Sequence, residues 1–136
     1  MSRSFALLGS GEFDPWSEDV DRLVLRADRA ARVLILPTAA AAEGDEVFDM
    51  WAGKGLDHYG RLGVESEVLD LKTRDDAHRD DLIARLAGAG MVFFSGGNPA
   101  YLASVLRDTP FWAATLAAMD DGMAYAGCSA GIACLG

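Results

Sequence analysis

Positive charge is scarce in this sequence. Its 136 residues hold 12 Lys and Arg against 21 Asp and Glu, a net charge of −9 at neutral pH. Nucleic acids and anionic membrane surfaces need clustered cations to neutralise phosphate. The basic residues here are scattered, so neither is expected as a partner. Cysteine is scarcer still: Cys128 and Cys134 are the two present, at a spacing that matches no zinc or redox motif. They read as free thiols, and neither a metal nor a cofactor is expected. Histidine is limited to His58 and His78, which narrows the choice of any general base. The N-terminal apolar run, Phe5 to Leu8, meets glycine after four residues. That is too short for a signal-peptide core or a membrane span, and a cytoplasmic protein is the expectation. No internal repeat is visible, and the "TAAAAEG" loop at 38–44 is the one stretch of low complexity.

What is present is enough for one folded domain over 1–136. Hydrophobic residues make up 51% and charged residues 24%, a balance that supports both a core and solubility. Five short apolar runs recur: "FALLGSG" (5–11), "RVLILPTA" (32–39), "VESEVLDL" (64–71), "GMVFFSGG" (90–97) and "MAYAGCS" (123–129). Four are nearly continuous in apolar residues, as parallel strands covered on both faces are. The third carries Glu65 and Glu67 on alternate positions and belongs at an edge. Helical patterns lie between them, at about 15–30, 44–62, 74–88 and 98–122, the last interrupted at Pro110. "TRDD" (73–76) looks like a capping box opening the third. The pattern predicts an α/β fold, an open, mainly parallel sheet with helices on both faces.

Ligands of such sheets bind beyond the carboxyl ends of the strands, where the sequence places "GSGEF", "PTAAAAEG", "SGGNP" and "GCSAG". Gly127-Cys128-Ser129-Ala130-Gly131 fits G-x-S-x-G between a predicted strand and a predicted helix. A sharp turn there strains the backbone at the central residue, and glycines two positions to either side avoid collision. The Ser129 hydroxyl is thereby lifted beyond the sheet at a helix N-terminus that favours negative charge. The N–H of Ala130 and a backbone N–H from Gly96-Gly97 would then form an oxyanion hole. A plain turn with an Asn98 N-cap and Pro99 at the first helical position explains "GGNP" equally well. Glu12, at a strand end, could bind substrate or merely cap its turn. "Gly9-Ser10-Gly11" begins like a dinucleotide fingerprint, but Asp14 stands where the third glycine would be, which discounts such a cofactor.

"LLGSGEF", "LILPTA", "FFSGGNPAYL" and "GCSAG", in that order, make the sequence resemble the peptidase E and cyanophycinase family of serine peptidases, which has the class I glutamine amidotransferase-like fold. The resemblance implies Ser129 as nucleophile, Gly97 and Ala130 as oxyanion donors, and Asn98 in the pocket. It implies a small peptide substrate cleaved beside aspartate, α-linked in the dipeptidases and side-chain-linked in the cyanophycin-degrading branch. It leaves a homodimer open. In that family the histidine base and its acidic partner follow the nucleophile, whereas this chain ends seven residues after Ser129. His58 and His78 fall in polar helical stretches, "LDHYG" and "DAHRD", where a surface role is expected. The 136 residues alone are therefore expected to be inactive and to be the N-terminal part of a longer hydrolase domain. Two other readings stand beside this one. A glutamine amidotransferase would need cysteine at the elbow, but Cys128 lies one residue early and Cys134 has one residue too many before it. A non-catalytic binding domain would keep the elbow as a structural turn.

Overall fold

The computed structural model describes residues 4–8, 32–61, 63–95, 98–121 and 123–128. They form one five-stranded sheet: β1 (Ser4–Leu8), β2 (Arg32–Leu36), β3 (Glu65–Val68), β4 (Met91–Phe94) and β5 (Ala124–Cys128). The strand order is β1-β5-β4-β2-β3, and every neighbouring pair is parallel. The predicted α/β fold and the edge position of the third strand both hold. The predicted first helix at about 15–30 lies outside the described residues.

Helix α1 (Asp45–Arg61) connects β2 to β3. Gly44, at φ 107°, turns the chain into it, and its carbonyl accepts the Phe48 N–H at 3.1 Å. Asp45 and Glu46 stand in its first turn and His58 and Arg61 in its last, the charge order that the helix dipole favours. Phe48, Ala52, Gly55 and Tyr59 are buried at the spacing of one helix face. Between β3 and β4 the chain makes a 3-10 turn at Asp76–His78 and the short helix α2 (Asp80–Ala84). After β4 come α3 (Pro99–Leu106) and α4 (Pro110–Asp120), separated where the sequence places Pro110. Thr109 caps α4 by accepting the Trp112 N–H.

The crossover β2–α1–β3 moves outward to one edge, whereas β3–α2–β4 and β4–α3–α4–β5 move the other way across the sheet. Because parallel crossovers are right-handed, opposite directions put the connections on opposite faces. Strand alternation agrees with this. Leu34, Leu36, Val92, Phe94 and Tyr125 share the large core with Leu82, Leu102, Phe111 and Met119. Val33, Ile35, Met91 and Phe93 are also wholly buried, and the Phe93 ring meets Tyr59 of α1 edge-on at 6.3 Å.

Two local expectations change. The helix predicted over 74–88 is broken into the 3-10 turn and the five residues of α2. The cause is the Thr73–Asp76 closure itself. Asp76 Oδ2 accepts the N–H groups of Lys72 and Thr73 at 2.9 and 3.1 Å, and Thr73 Oγ1 accepts the Asp76 N–H at 3.4 Å. The capping box forms, but it closes a tight turn that Arg79, in extended conformation, ends at once. His58, expected at the surface, is wholly buried, because position 58 falls on the inward stripe of α1 beside Gly55, edge-on to Tyr59 at 4.9 Å. His78 is exposed, as expected, with its Nδ1 2.9 Å from the Arg74 carbonyl.

Glu67 of the edge strand is held by Arg85 and by Arg32, the first residue of β2, the latter at 2.8 Å. Arg32 also donates to the carbonyls of Arg85 and Ala87, both at 2.8 Å. The Arg85 hydrogen bond and the two guanidinium charges hold the Glu67 carboxyl below its ordinary value. A lowered carboxylate pKa adds stability that is present above the unfolded-state value and is lost as pH falls through the folded-state value. Glu67→Gln is therefore expected to destabilise the protein at pH 7 by roughly 1 kcal/mol or less, since the cluster is half open to solvent. The gap between variant and wild type should close as the pH drops below about 4. Urea unfolding across pH checks this.

Candidate active site

The carboxyl ends of β2 and β4 mark the point where the connections diverge. From β2 the chain leaves through the 3-10 turn Thr38–Glu43 toward α1 on one face, and from β4 it leaves through Asn98 toward α3 on the other. Ligands of open α/β sheets bind at such a switch point. The two exits are pinned together, with Ser95 N–H donating to Leu36 O at 3.3 Å and Asn98 N–H to Ala39 O at 3.1 Å. β5 lies beside β4, with Phe94 opposite Gly127, and runs one residue further to Cys128, which pairs with Leu8 of β1. The elbow sequence therefore grows from the carboxyl end of an interior strand of the described sheet.

Of the residues singled out from sequence, Ser129, Ala130, Gly97 and Glu12 lie outside the described residues, as do Gly96 and Gly131. Asn98 is described. It is exposed, and its side-chain oxygen accepts the Tyr101 N–H at 2.9 Å, capping α3 ahead of Pro99. The capping alternative is thus realised. With Oδ1 engaged, the Nδ2 amide is the part of the side chain left for a ligand.

The two histidines are placed differently. His58 sits in the last turn of α1, shortly before Tyr59 accepts the Val64 N–H at the entry to β3. That is the amino end of the strands. The segment holding His78 lies near the C-terminal end of α3, because Arg74 donates to the carbonyls of Ser104 and Arg107 at 3.0 and 2.7 Å. The same turn is tied to Lys72 through Asp76 Oδ2 at 2.9 Å, and the His78 ring is turned to the Arg74 carbonyl at 2.9 Å.

Three polar groups at this end were not foreseen. Lys72, just past β3, stands 3.1 Å from Asp45 and 4.7 Å above the Phe48 ring, and the Tyr101 hydroxyl donates to its carbonyl. The bond to Asp45, with help from its charge, raises the Lys72 pKa. Lys72 is thus a cation at the carboxyl end of the sheet, and its place directly after the predicted strand at 64–71 is the signal that could have flagged it. The others are the hydroxyls of Thr38 and Ser95, buried and, among the described residues, without hydrogen-bond partners. Nothing in the sequence marks them. Among the described residues no group of three His, Cys, Asp or Glu could hold a metal, and no helix is long and apolar enough to cross a membrane.

The comparisons with known proteins agree with this geometry. Residues 5–136 match the model of peptidase family S51. The crystal structure of a peptidase from an acI-B1 Actinobacterium is similar, with a TM-score of 0.91 and 33% identity over 96% of this chain and 55% of that one. A putative peptidase E protein from Listeria monocytogenes EGD-e has the same fold, with a TM-score of 0.67 and 22% identity over 96% of this chain and 60% of that one. The chain thus spans little more than half the length of either structure. No curated protein sequence matches it.

Proposed function

This chain belongs to peptidase family S51, and from that premise we propose that it carries the nucleophile half of a serine peptidase active site. The observation that carries the reading is the end of β5. Cys128 lies within that strand and is paired with Leu8, and Ser129 is the next residue in sequence at the carboxyl end of an interior strand, where an elbow nucleophile is expected. The same fact weighs against Cys128 as nucleophile and hence against an amidotransferase.

In this mechanism the Ser129 hydroxyl attacks the carbonyl of a peptide bond adjoining aspartate, the C–N bond breaks as the amine leaves with the proton taken from serine, and water then hydrolyses the acyl-enzyme. The N–H groups of Gly97 and Ala130 stabilise the oxyanion, and Asn98 contributes its Nδ2 amide to the pocket. Glu12, after β1, is placed by its sequence position to contact substrate at the same end. A base must take the serine proton, because serine at neutral pH is otherwise a poor nucleophile. Of the two imidazoles of this sequence, His58 is buried near the entry to β3, and His78 has its Nδ1 on the Arg74 carbonyl.

The 136-residue chain is accordingly expected to give no turnover of Asp-containing dipeptides and no labelling by a fluorophosphonate. A longer version with residues beyond Gly136 that supply a histidine should give both. Side-by-side assays check this; equal activity in the two would mean that a group within the 136 residues acts as base.

A further inference from the structure

The two hydrogen bonds that pin the exits of β2 and β4, Ser95 N–H to Leu36 O and Asn98 N–H to Ala39 O, flank two hydroxyls that the fold leaves unsatisfied. Among the described residues Thr38 Oγ1 and Ser95 Oγ have no hydrogen-bond partner, and neither residue has any exposed surface. The buried hydroxyls of Thr109 and Thr115 donate to the carbonyls of Leu106 and Phe111 at 2.6 and 2.8 Å. A buried hydroxyl left without a partner keeps its full desolvation penalty, and native proteins rarely leave such groups unmade. Two of them at the binding end of the sheet call for a ligand.

We propose that Thr38 and Ser95 together bind one ordered internal water, which sets the position of Asn98 at the mouth of the site. An internal water needs about three polar partners. The two hydroxyls supply two, and the Leu36 carbonyl, which accepts the Ser95 N–H, has a second lone pair for a third. Ala39 O carries the Asn98 N–H. A water held against Thr38 therefore steadies the carbonyl from which Asn98 hangs. Thr38 and Ser95 are positioning residues in this scheme and touch no substrate. The positioning role rests on the peptidase reading; the water site does not.

The test compares the full-length protein with Thr38→Val, Thr38→Ser, Ser95→Ala and the Thr38→Val/Ser95→Ala double variant, by denaturant unfolding and by steady-state hydrolysis of an Asp-containing dipeptide. Thr38→Val and Ser95→Ala should each lower the folded-to-unfolded ratio about tenfold, the size of one lost polar contact. The double variant should lose far less than the product, because both changes release the same water. KM should rise about tenfold with kcat within a factor of about two, since binding through Asn98 is what loosens. Thr38→Ser, which keeps the hydroxyl, should behave as wild type. A Thr38→Val protein as stable as wild type or more so, strictly multiplicative effects in the double variant, or an unchanged KM overturns the proposal. If the wild-type protein hydrolyses nothing, the peptidase reading falls, and the unfolding data alone decide on the water.

Discussion

Replacing Ser129 by alanine in a complete, active form of this protein is expected to abolish hydrolysis of Asp-containing dipeptides, whereas Cys128→Ala should leave most of it. The size of the first effect follows from the chemistry. Without the hydroxyl no acyl-enzyme can form, and removing the nucleophile of a serine hydrolase lowers kcat by roughly a million-fold. The residual rate over water comes from the oxyanion donors and substrate binding. Cys128 ends β5 within the β1–β5 ladder, so its loss alters a strand terminus and no bond-making step. Initial rates of the two purified variants check both statements. The opposite pattern would move the nucleophile to Cys128 and the enzyme to the amidotransferase class.

Phe94→Ala is expected to be the most damaging change to stability. Phe94 is wholly buried at the carboxyl end of β4. Its ring stacks on Tyr125 of β5 at 5.5 Å and 26°, and meets Trp112 of α4 edge-on at 6.3 Å. Trp112 also meets Tyr125 at 6.2 Å. The three rings thus join the two strands flanking the candidate site to the helix layer beneath them. Truncating a buried phenylalanine costs about 3–5 kcal/mol through lost transfer energy and the cavity left behind, and aromatic pairs add about 0.5–1.5 kcal/mol beyond burial. Equilibrium unfolding in urea should show the loss as a lower midpoint at nearly unchanged slope. Phe94→Leu, which keeps most of the volume, should lose well under half as much.

Much of this architecture is legible in the residues, and the reasons are physical. A strand buried on both faces must be apolar at nearly every position, so "RVLIL" and "MVFF" announce themselves, while Glu65 and Glu67 betray the open side of the edge strand. Proline at 110 separates two helices because it cannot continue the one before it. What escapes the sequence depends on the third dimension. "AHRDDLIARLAGA" looks helical by composition, yet the Thr73–Asp76 closure spends those residues on a 3-10 turn before a helix can start. His58 looks exposed among Asp57, Tyr59 and Gly60, but a helix that packs on a sheet buries whichever residue lies on its inward stripe. The unsatisfied hydroxyls of Thr38 and Ser95 are invisible from sequence altogether, since hydrogen-bond satisfaction is a property of neighbours brought together by the fold. The elbow is the reverse case: its identification comes from the G-x-S-x-G pattern, and the structure contributes the strand that leads into it.

The central claim is that Ser129 is the nucleophile, and the most direct measurement is the site of covalent capture. The full-length, active protein would be treated with a fluorophosphonate, digested, and the adduct located by tandem mass spectrometry. A single phosphonyl group on Ser129, absent from the Ser129→Ala variant, is the expected result. An adduct on another serine, or complete inactivation by a thiol reagent through Cys128 with Ser129 unmodified, would contradict it.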